Sequence, residues 1–265
     1  MKTEVFEALR EIVYDNSGIL LREGKESMVS SRIAQRLRAL KLSDESAYLD
    51  YLRADLATEL VQLLDVISTN VTNFFREPEH FDSVAQHLSE TLAGGQSRLR
   101  LWSAASSTGE EPYSLSMTVL DVVEKHKKPV DVKILATDIS TRVLETASNG
   151  FYEASKIDPI PDKYKQRYME VEGEGYRATP KLREQLVFKR LNLSKPPFPM
   201  KGPMDVVMCR NVMIYFDEAL RAAIVTDCHR LLRPGGLLVV GKSESIVNAN
   251  EQYSRVAPSV YRKRE

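Results

Sequence analysis

From Arg98 onward the chain alternates short apolar runs with stretches of helical pattern, and this alternation restricts the fold more than any other feature of the sequence. The runs occupy residues 99–104, 132–137, 186–191, 205–209 and 237–240, with helical periodicity over 114–125 and 218–232 between them. Parallel strands need a crossover of a dozen or more residues, usually a helix. The pattern therefore predicts an α/β, doubly wound, mostly parallel sheet with helices on both faces. One stretch breaks the rhythm. Residues 168–171 and 176–179 flank Gly173-Glu174-Gly175 and read as a hairpin. With 186–191 it is expected to form a small antiparallel flap, a β-subdomain at about 155–190.

The first ninety residues have a different grammar. Val5, Phe6, Leu9, Ile12 and Val13 follow the i, i+3/i+4 rhythm of one buried helical face, as do Val29, Ile33, Leu37 and Leu40, and then Leu56, Leu60, Leu63 and Ile67. Ser43 reads as an N-cap with Asp44 and Glu45 behind it. A further helix begins at Pro78, turns Phe81, Val84 and Leu88 inward and stops at Gly94-Gly95. The expected division is an all-α domain over 1–70 and a sheet domain over 71–265.

In doubly wound sheets the ligand sits beyond the carboxyl ends of the strands, at the point where the strand order reverses. After the first strand come Ala104-Ala105-Ser106-Ser107-Thr108-Gly109-Glu110-Glu111-Pro112, small residues that let a ligand approach the backbone. No G-x-G-x-x-G is present, and two glutamates stand where a pyrophosphate would need donors. Carboxylates there suit ammonium or hydroxyl groups, which favours a nucleoside without phosphates. Asp138 ends the second strand, where an acid takes ribose hydroxyls. Asn192 ends the next strand, and Arg210-Asn211 the one after, with Tyr215 following. Each alone reads as an ordinary loop or cap residue, but together they converge on one crevice.

Composition removes several alternatives. The 37 basic and 37 acidic side chains balance, which argues against a protein built to coat nucleic acid. No apolar run approaches the ~20 residues of a bilayer span, and the charged start lacks the core of a secretory signal. Two cysteines and four scattered histidines supply neither a disulfide framework nor metal-ligand spacing. A cytoplasmic, metal-free protein is expected.

Four segments then carry a resemblance: Thr69-Asn70-Val71-Thr72-Asn73-Phe74-Phe75-Arg76, Ser107-Thr108-Gly109-Glu110-Glu111-Pro112-Tyr113-Ser114, Cys209-Arg210-Asn211-Val212-Met213-Ile214-Tyr215-Phe216 and Gly241-Lys242-Ser243-Glu244-Ser245. In this order they resemble the CheR family of chemotaxis-receptor glutamate methyltransferases, essentially end to end. Ala105 and Ser106 stand where many members carry Gly-Cys, and Val71 occupies a variable position.

The resemblance implies a class I methyltransferase-like sheet and S-adenosyl-L-methionine as cofactor, with S-adenosyl-L-homocysteine as product. Asn70, Thr72, Arg76, Glu111, Asp138, Asn192, Leu193, Arg210 and Asn211 are its implied binding residues. It favours Glu111 over Glu110, which the residues alone leave equivalent. The acceptor implied is a glutamate on the cytoplasmic methylation region of a chemoreceptor, held by Arg76 and Tyr215. Arg32, Arg36 and Arg38, with Lys41 close by, form a basic helix face suited to an acidic receptor coiled coil. The hairpin corresponds to the family's β-subdomain, which in some members adds a receptor-tail peptide as an extra strand. A monomer is expected, with no membrane insertion. The fold alone also admits methylation of RNA or small molecules, or a non-catalytic S-adenosylmethionine sensor. The motif set ranks these below receptor methylation.

Overall fold

The computed structural model describes residues 1–68, 70–246 and 251–264. Thr69, which opens one of the four segments, lies outside them, as do 247–250 and Glu265 of the expected second domain. Four helices come first: α1 (Thr3–Ser17), α2 (Glu26–Leu40), α3 (Glu45–Ala54) and α4 (Leu56–Ile67). Their periodic faces meet in one cluster, with Phe6, Leu9, Val29, Ile33, Leu52 and Leu63 fully buried. Leu37 and Leu40 are partly buried against it, whereas Leu56, expected inside, is 38% exposed at the start of α4. The cap of α3 falls one residue later than expected: Asp44, not Ser43, accepts the Ala47 N–H at 2.9 Å.

Two of the basic residues on α2 are spent within this unit. Glu59 is buried on α4, accepting two bonds of 2.8 Å from Arg36 and one of 2.9 Å from the Tyr48 hydroxyl. Arg32 donates to the Val66 and Ile67 carbonyls at the end of α4. The expected docking face is corrected accordingly: Arg38 and Lys41 are exposed, while Arg32 and Arg36 brace the helices.

The second unit runs α5 (Pro78–Ala93), β1 (Arg98–Ala104), α6 (Glu110–His126), β2 (Asp131–Asp138), α7 (Thr141–Asn149), β3 (Phe151–Glu153), α8 (Ala154–Ile157), α9 (Asp162–Tyr168), β4 (Met169–Glu172), β5 (Gly175–Ala178), α10 (Pro180–Arg183), β6 (Leu186–Arg190), β7 (Met204–Cys209), a 3-10 turn (Met213–Tyr215), α11 (Glu218–Leu231), β8 (Leu232–Val240), β9 (Tyr253–Ala257) and β10 (Val260–Lys263). Seven strands form one sheet in the order β6-β2-β1-β7-β8-β10-β9, parallel except for β10, which runs antiparallel to both its neighbours. Met204–Cys209 is buried at every position, as a central parallel strand covered on both faces must be. Separate apolar clusters fill the two faces, one around Leu101, Val119 and Val206, the other around Trp102, Val207 and Ile224.

The flap departs from the sequence expectation. The hairpin β4–β5 forms, but its third strand is β3, with Phe151 opposite Arg177, so the small sheet begins before residue 155. Residues 186–190 instead extend the main sheet, in parallel register with Ile134–Asp138. The short helix α10 supplies the connection, and β3 already occupies the free side of β5. The class I methyltransferase-like arrangement remains: an all-α unit, a mostly parallel sheet and a small antiparallel sheet. After β6 the chain returns to place β7 on the other side of β1, so the strand order reverses between β1 and β7.

Candidate functional site

The crevice at that reversal is built first from the loop after β1. The Ala105 and Ser106 N–H groups both donate to the Thr137 carbonyl at 2.8 Å, folding the loop across the end of β2. Ala105 (φ 87°) and Ser107 (φ 48°) are left-handed although neither is glycine. Gly109 (φ 101°) has no alternative, since a Cβ would lie 2.7 Å from the Tyr152 hydroxyl and 2.8 Å from Ala147 Cβ. Asp138 joins loop to strand: Oδ2 accepts the Ser107 N–H at 2.9 Å and Oδ1 the Ser140 N–H at 3.0 Å. Burial pushes its carboxyl above the ordinary range despite these bonds.

A second group surrounds Arg210, whose side chain is almost wholly buried. Its guanidinium donates to Glu111 Oε2 at 3.0 Å, Glu77 Oε2 at 2.9 Å and the Arg76 carbonyl at 2.5 Å. Glu111 Oε1 accepts from the Ser103 hydroxyl at 2.8 Å. Burial raises the Glu111 carboxyl, and the Arg210 charge offsets it only in part. Burial works the same way on Glu77, but there the Arg210 hydrogen bond wins and its carboxyl lies below the ordinary range. Two carboxyl groups share one guanidinium, so with both ionised the cluster carries one negative charge in surplus.

A cavity of about 210 Å³ opens between these groups, far more than the ~10–15 Å³ that one water needs. Asn70, Thr72, Arg76, Glu111, Asp138, Asn192, Leu193, Arg210, Asn211 and Tyr215 all line it. They do not stand alike. Asn192 spends its amide on the Asn16 carbonyl (2.7 Å) and the Ser194 N–H (2.9 Å), tying the two units together. Arg210 is held by three partners. Arg76 differs: among the described residues the one hydrogen bond of its side chain is to the Val71 carbonyl at 3.1 Å, and no carboxylate pairs with it. The neighbouring acids are taken, Glu77 by Arg210 and Glu79 by Lys242.

Glu110, the acid the residues alone do not distinguish from Glu111, turns away. It is buried against the Thr108 hydroxyl (2.6 Å) with Lys156 at 3.8 Å, and its carboxyl is pushed up by burial. Arg32, Arg36 and Arg38 are not on the cavity wall. Glu77 was not singled out by the sequence, nor were Ser17 and Ile19, which the helical unit adds to the wall. Their roles depend on contacts across more than a hundred residues, which spacing does not reveal.

The donor set tests what the cavity can take. Two carboxylates with raised pKa, Glu111 and Asp138, face it beside the apolar Ile139, Leu191, Leu193 and Val212. Acids at the loop repel phosphates and accept ammonium, sulfonium or hydroxyl groups. A nucleoside that carries a cationic amino-acid side arm fits.

Known proteins agree. Residues 4–68 match the family described as "CheR methyltransferase, all-alpha domain", and residues 70–261 match "CheR methyltransferase, SAM binding domain". A "Chemotaxis protein methyltransferase" of Borreliella burgdorferi is 36% identical over 262 residues, spanning 96% of this chain and 92% of its own. That of Salmonella typhimurium is 37% identical, spanning 97% of this chain and 88% of its own. A third, "Chemotaxis protein methyltransferase 2" of Pseudomonas aeruginosa, is 36% identical, spanning 97% and 92%. With both family domains matched in order around a cavity suited to a nucleoside that carries a cationic amino-acid arm, the chain belongs to the CheR family of S-adenosylmethionine-dependent methyltransferases.

Proposed function

We propose that the acceptor is the side-chain carboxylate of glutamates on the cytoplasmic methylation region of chemoreceptors, converted to methyl esters in chemotactic adaptation. The observation that carries this reading is Arg76. A guanidinium on the wall of a cofactor cavity, with no carboxylate partner among the described residues, is equipped to fork onto both oxygens of an incoming carboxylate. The Tyr215 phenol, on the same wall, donates a further bond.

S-adenosylmethionine supplies, when bound, a methyl group on a positively charged sulfur. Asp138 takes its ribose hydroxyls, while Glu111 and the surplus negative charge around Arg210 suit its cationic end. Asn70, Thr72 and Asn211 complete the polar wall, and Leu193, Val212 and Phe216 exclude water. No general base is required, because a glutamate of pKa ~4.3 is already ionised at pH 7. Alignment and the exclusion of water then carry the rate.

Receptor docking is assigned to the exposed basic residues at the end of α2, Arg38 within the helix and Lys41 just after it. Arg32 and Arg36 shape that helix from beneath. Strand β4 lies at an edge of the small sheet with Val171 75% exposed, a place for a receptor-tail peptide to add as a strand. No helix among the described residues is long and apolar enough to cross a membrane. We place the protein in the cytoplasm as a monomer, where receptor methylation regions are reached.

The test is to incubate the protein with methyl-labelled S-adenosylmethionine and receptor-rich membranes and collect the methanol released by mild alkali. Labelled methanol is expected from the wild type, with Arg76→Ala reduced by about 100-fold, the scale of losing acceptor alignment. Arg76→Lys, which keeps the charge but not the fork, falls between. Methylation by Arg76→Ala at the wild-type rate would remove Arg76 from the reaction.

A further inference from the structure

The segment Gly241-Lys242-Ser243-Glu244-Ser245 helps carry the family resemblance, yet Glu244 is not on the cavity wall. Its carboxylate is buried and accepts three backbone N–H groups: Asn211 at 2.8 Å and Gly241 at 2.6 Å on Oε2, and Ile214 at 3.3 Å on Oε1. Strands β7 and β8 pair as far as Cys209 and Val240 and then part. Just past that point Asn211 turns left-handed (φ 57°), a conformation costly for a residue with a Cβ. The 3-10 turn then carries Ile214 and Tyr215 along the cavity mouth. Beyond the last paired residues, one carboxylate takes over from the missing ladder.

A second observation concerns the space around Gly241, one of these donors. A Cβ on Gly241 would lie 2.5 Å from Asn211 Nδ2 and 2.7 Å from Glu244 Oε2, so only glycine lets the carboxylate reach the loop. From the opposite side the Leu20 N–H donates to the Tyr215 carbonyl at 2.8 Å. The turn is thus held at both ends, by Glu244 from the sheet and by Leu20 from the helical unit.

We propose that Glu244 is a positioning residue, which fixes Asn211 on the cofactor side and Tyr215 on the acceptor side by accepting the backbone N–H groups of the turn between them. The assignment of Tyr215 to the acceptor rests on the function proposed above. Gly241 is part of the same device. In Glu244→Gln the remaining oxygen can keep the two short bonds and turn the amide toward Ile214, the weakest of the three. Glu244→Ala keeps none.

Hydrogen–deuterium exchange over residues 210–216 reads the positioning directly and needs no acceptor. Exchange is expected to accelerate in Glu244→Ala and Gly241→Ala and less in Glu244→Gln, with the melting temperature and the exchange of α1–α4 near wild type. Turnover on receptor membranes is expected to follow the same order, about 10–100-fold down in Glu244→Ala. Unchanged exchange over 210–216 would overturn the proposal, as would wild-type turnover in Glu244→Ala. A global loss of protection in both Glu244→Gln and Glu244→Ala would make the residue structural only, which also overturns it. If the wild type methylated no receptor, the acceptor reading would fail by itself, and the exchange result would still decide the placement of the turn.

Discussion

At the scale of single residues, the chemistry of the site is a matter of buried acids. Asp138 and Glu111 both sit above the ordinary carboxylate range because burial penalises their charged forms. A cation or a hydroxyl donor binds their ionised forms, so ligand binding must release whatever protons they hold. Cofactor affinity is therefore expected to be level at slightly alkaline pH and to fall as pH drops toward the raised values, above the usual ~4. Calorimetry of S-adenosylhomocysteine binding in buffers of different ionisation enthalpy measures both the slope and the proton release. Glu111→Gln should weaken binding at pH 8 and flatten the slope. Asp138 was legible in the sequence because it closes an apolar strand in a fold whose ligands gather there, whereas Glu111 could be told from Glu110 only through the family resemblance. Glu77 was not legible, although it contacts Arg210, Asn211 and the Lys242 N–H. It begins a helix at φ 57°, and nothing in its neighbours signals a left-handed glutamate.

At the scale of elements, the central sheet was readable and its margins were not. Strand β7 is apolar except for Asp205 and buried throughout, and β1 and β2 are buried over most of their length, with charged residues confined to their starts and the acid that ends β2. β9 and β10 carry Ser254, Arg255, Arg262 and Lys263, and such short, half-polar strands leave no run to find. β3 is three residues long, which is why the third strand of the flap was sought at 186–191 instead. Helix starts follow local chemistry closely. Ser140 caps α7, its hydroxyl accepting the Val143 N–H at 3.3 Å. Asp44→Ala, remote from the cavity, should cost about 1 kcal/mol in urea unfolding with turnover per folded molecule unchanged. Gly109→Ala is the opposite kind of change. Its Cβ meets Tyr152 and Ala147, and the φ of 101° is strained for alanine. A loss of about 1–3 kcal/mol is expected, together with cofactor affinity reduced at least about tenfold because the loop that Asp138 holds must shift.

For the molecule as a whole, one histidine sets a pH window for stability. His87 on α5 is buried, and burial, aided by the Arg233 and Arg262 charges, pushes its pKa down to about 4. A folded pKa below the unfolded ~6.5 means that the unfolded chain takes the proton first. Its contribution is thus complete above pH ~6.5 and is lost as pH falls to about 4. The difference is worth about 3 kcal/mol. The raised acids of the site act in the other sense: their folded forms hold protons more tightly, so their cost appears as pH rises above the ordinary carboxylate range. Urea midpoints at pH 7.5 and pH 4.5 should therefore differ less in His87→Leu than in the wild type. Equal losses in both proteins would assign the acid sensitivity elsewhere.

The cavity wall has Ser17, Ile19, Ile67 and Ser68 on one side and the ends of β1, β2 and β7 on the other. Asn192 is bonded to the Asn16 carbonyl across the seam. The boundary between the two family domains therefore passes through the binding site and not beside it. A helical unit grafted from a relative to change which receptor is addressed would arrive with its own half of the pocket. The helical unit and the cofactor pocket are inherited here as one part, and a chimera that respects the sequence boundary will still have cut the site in two.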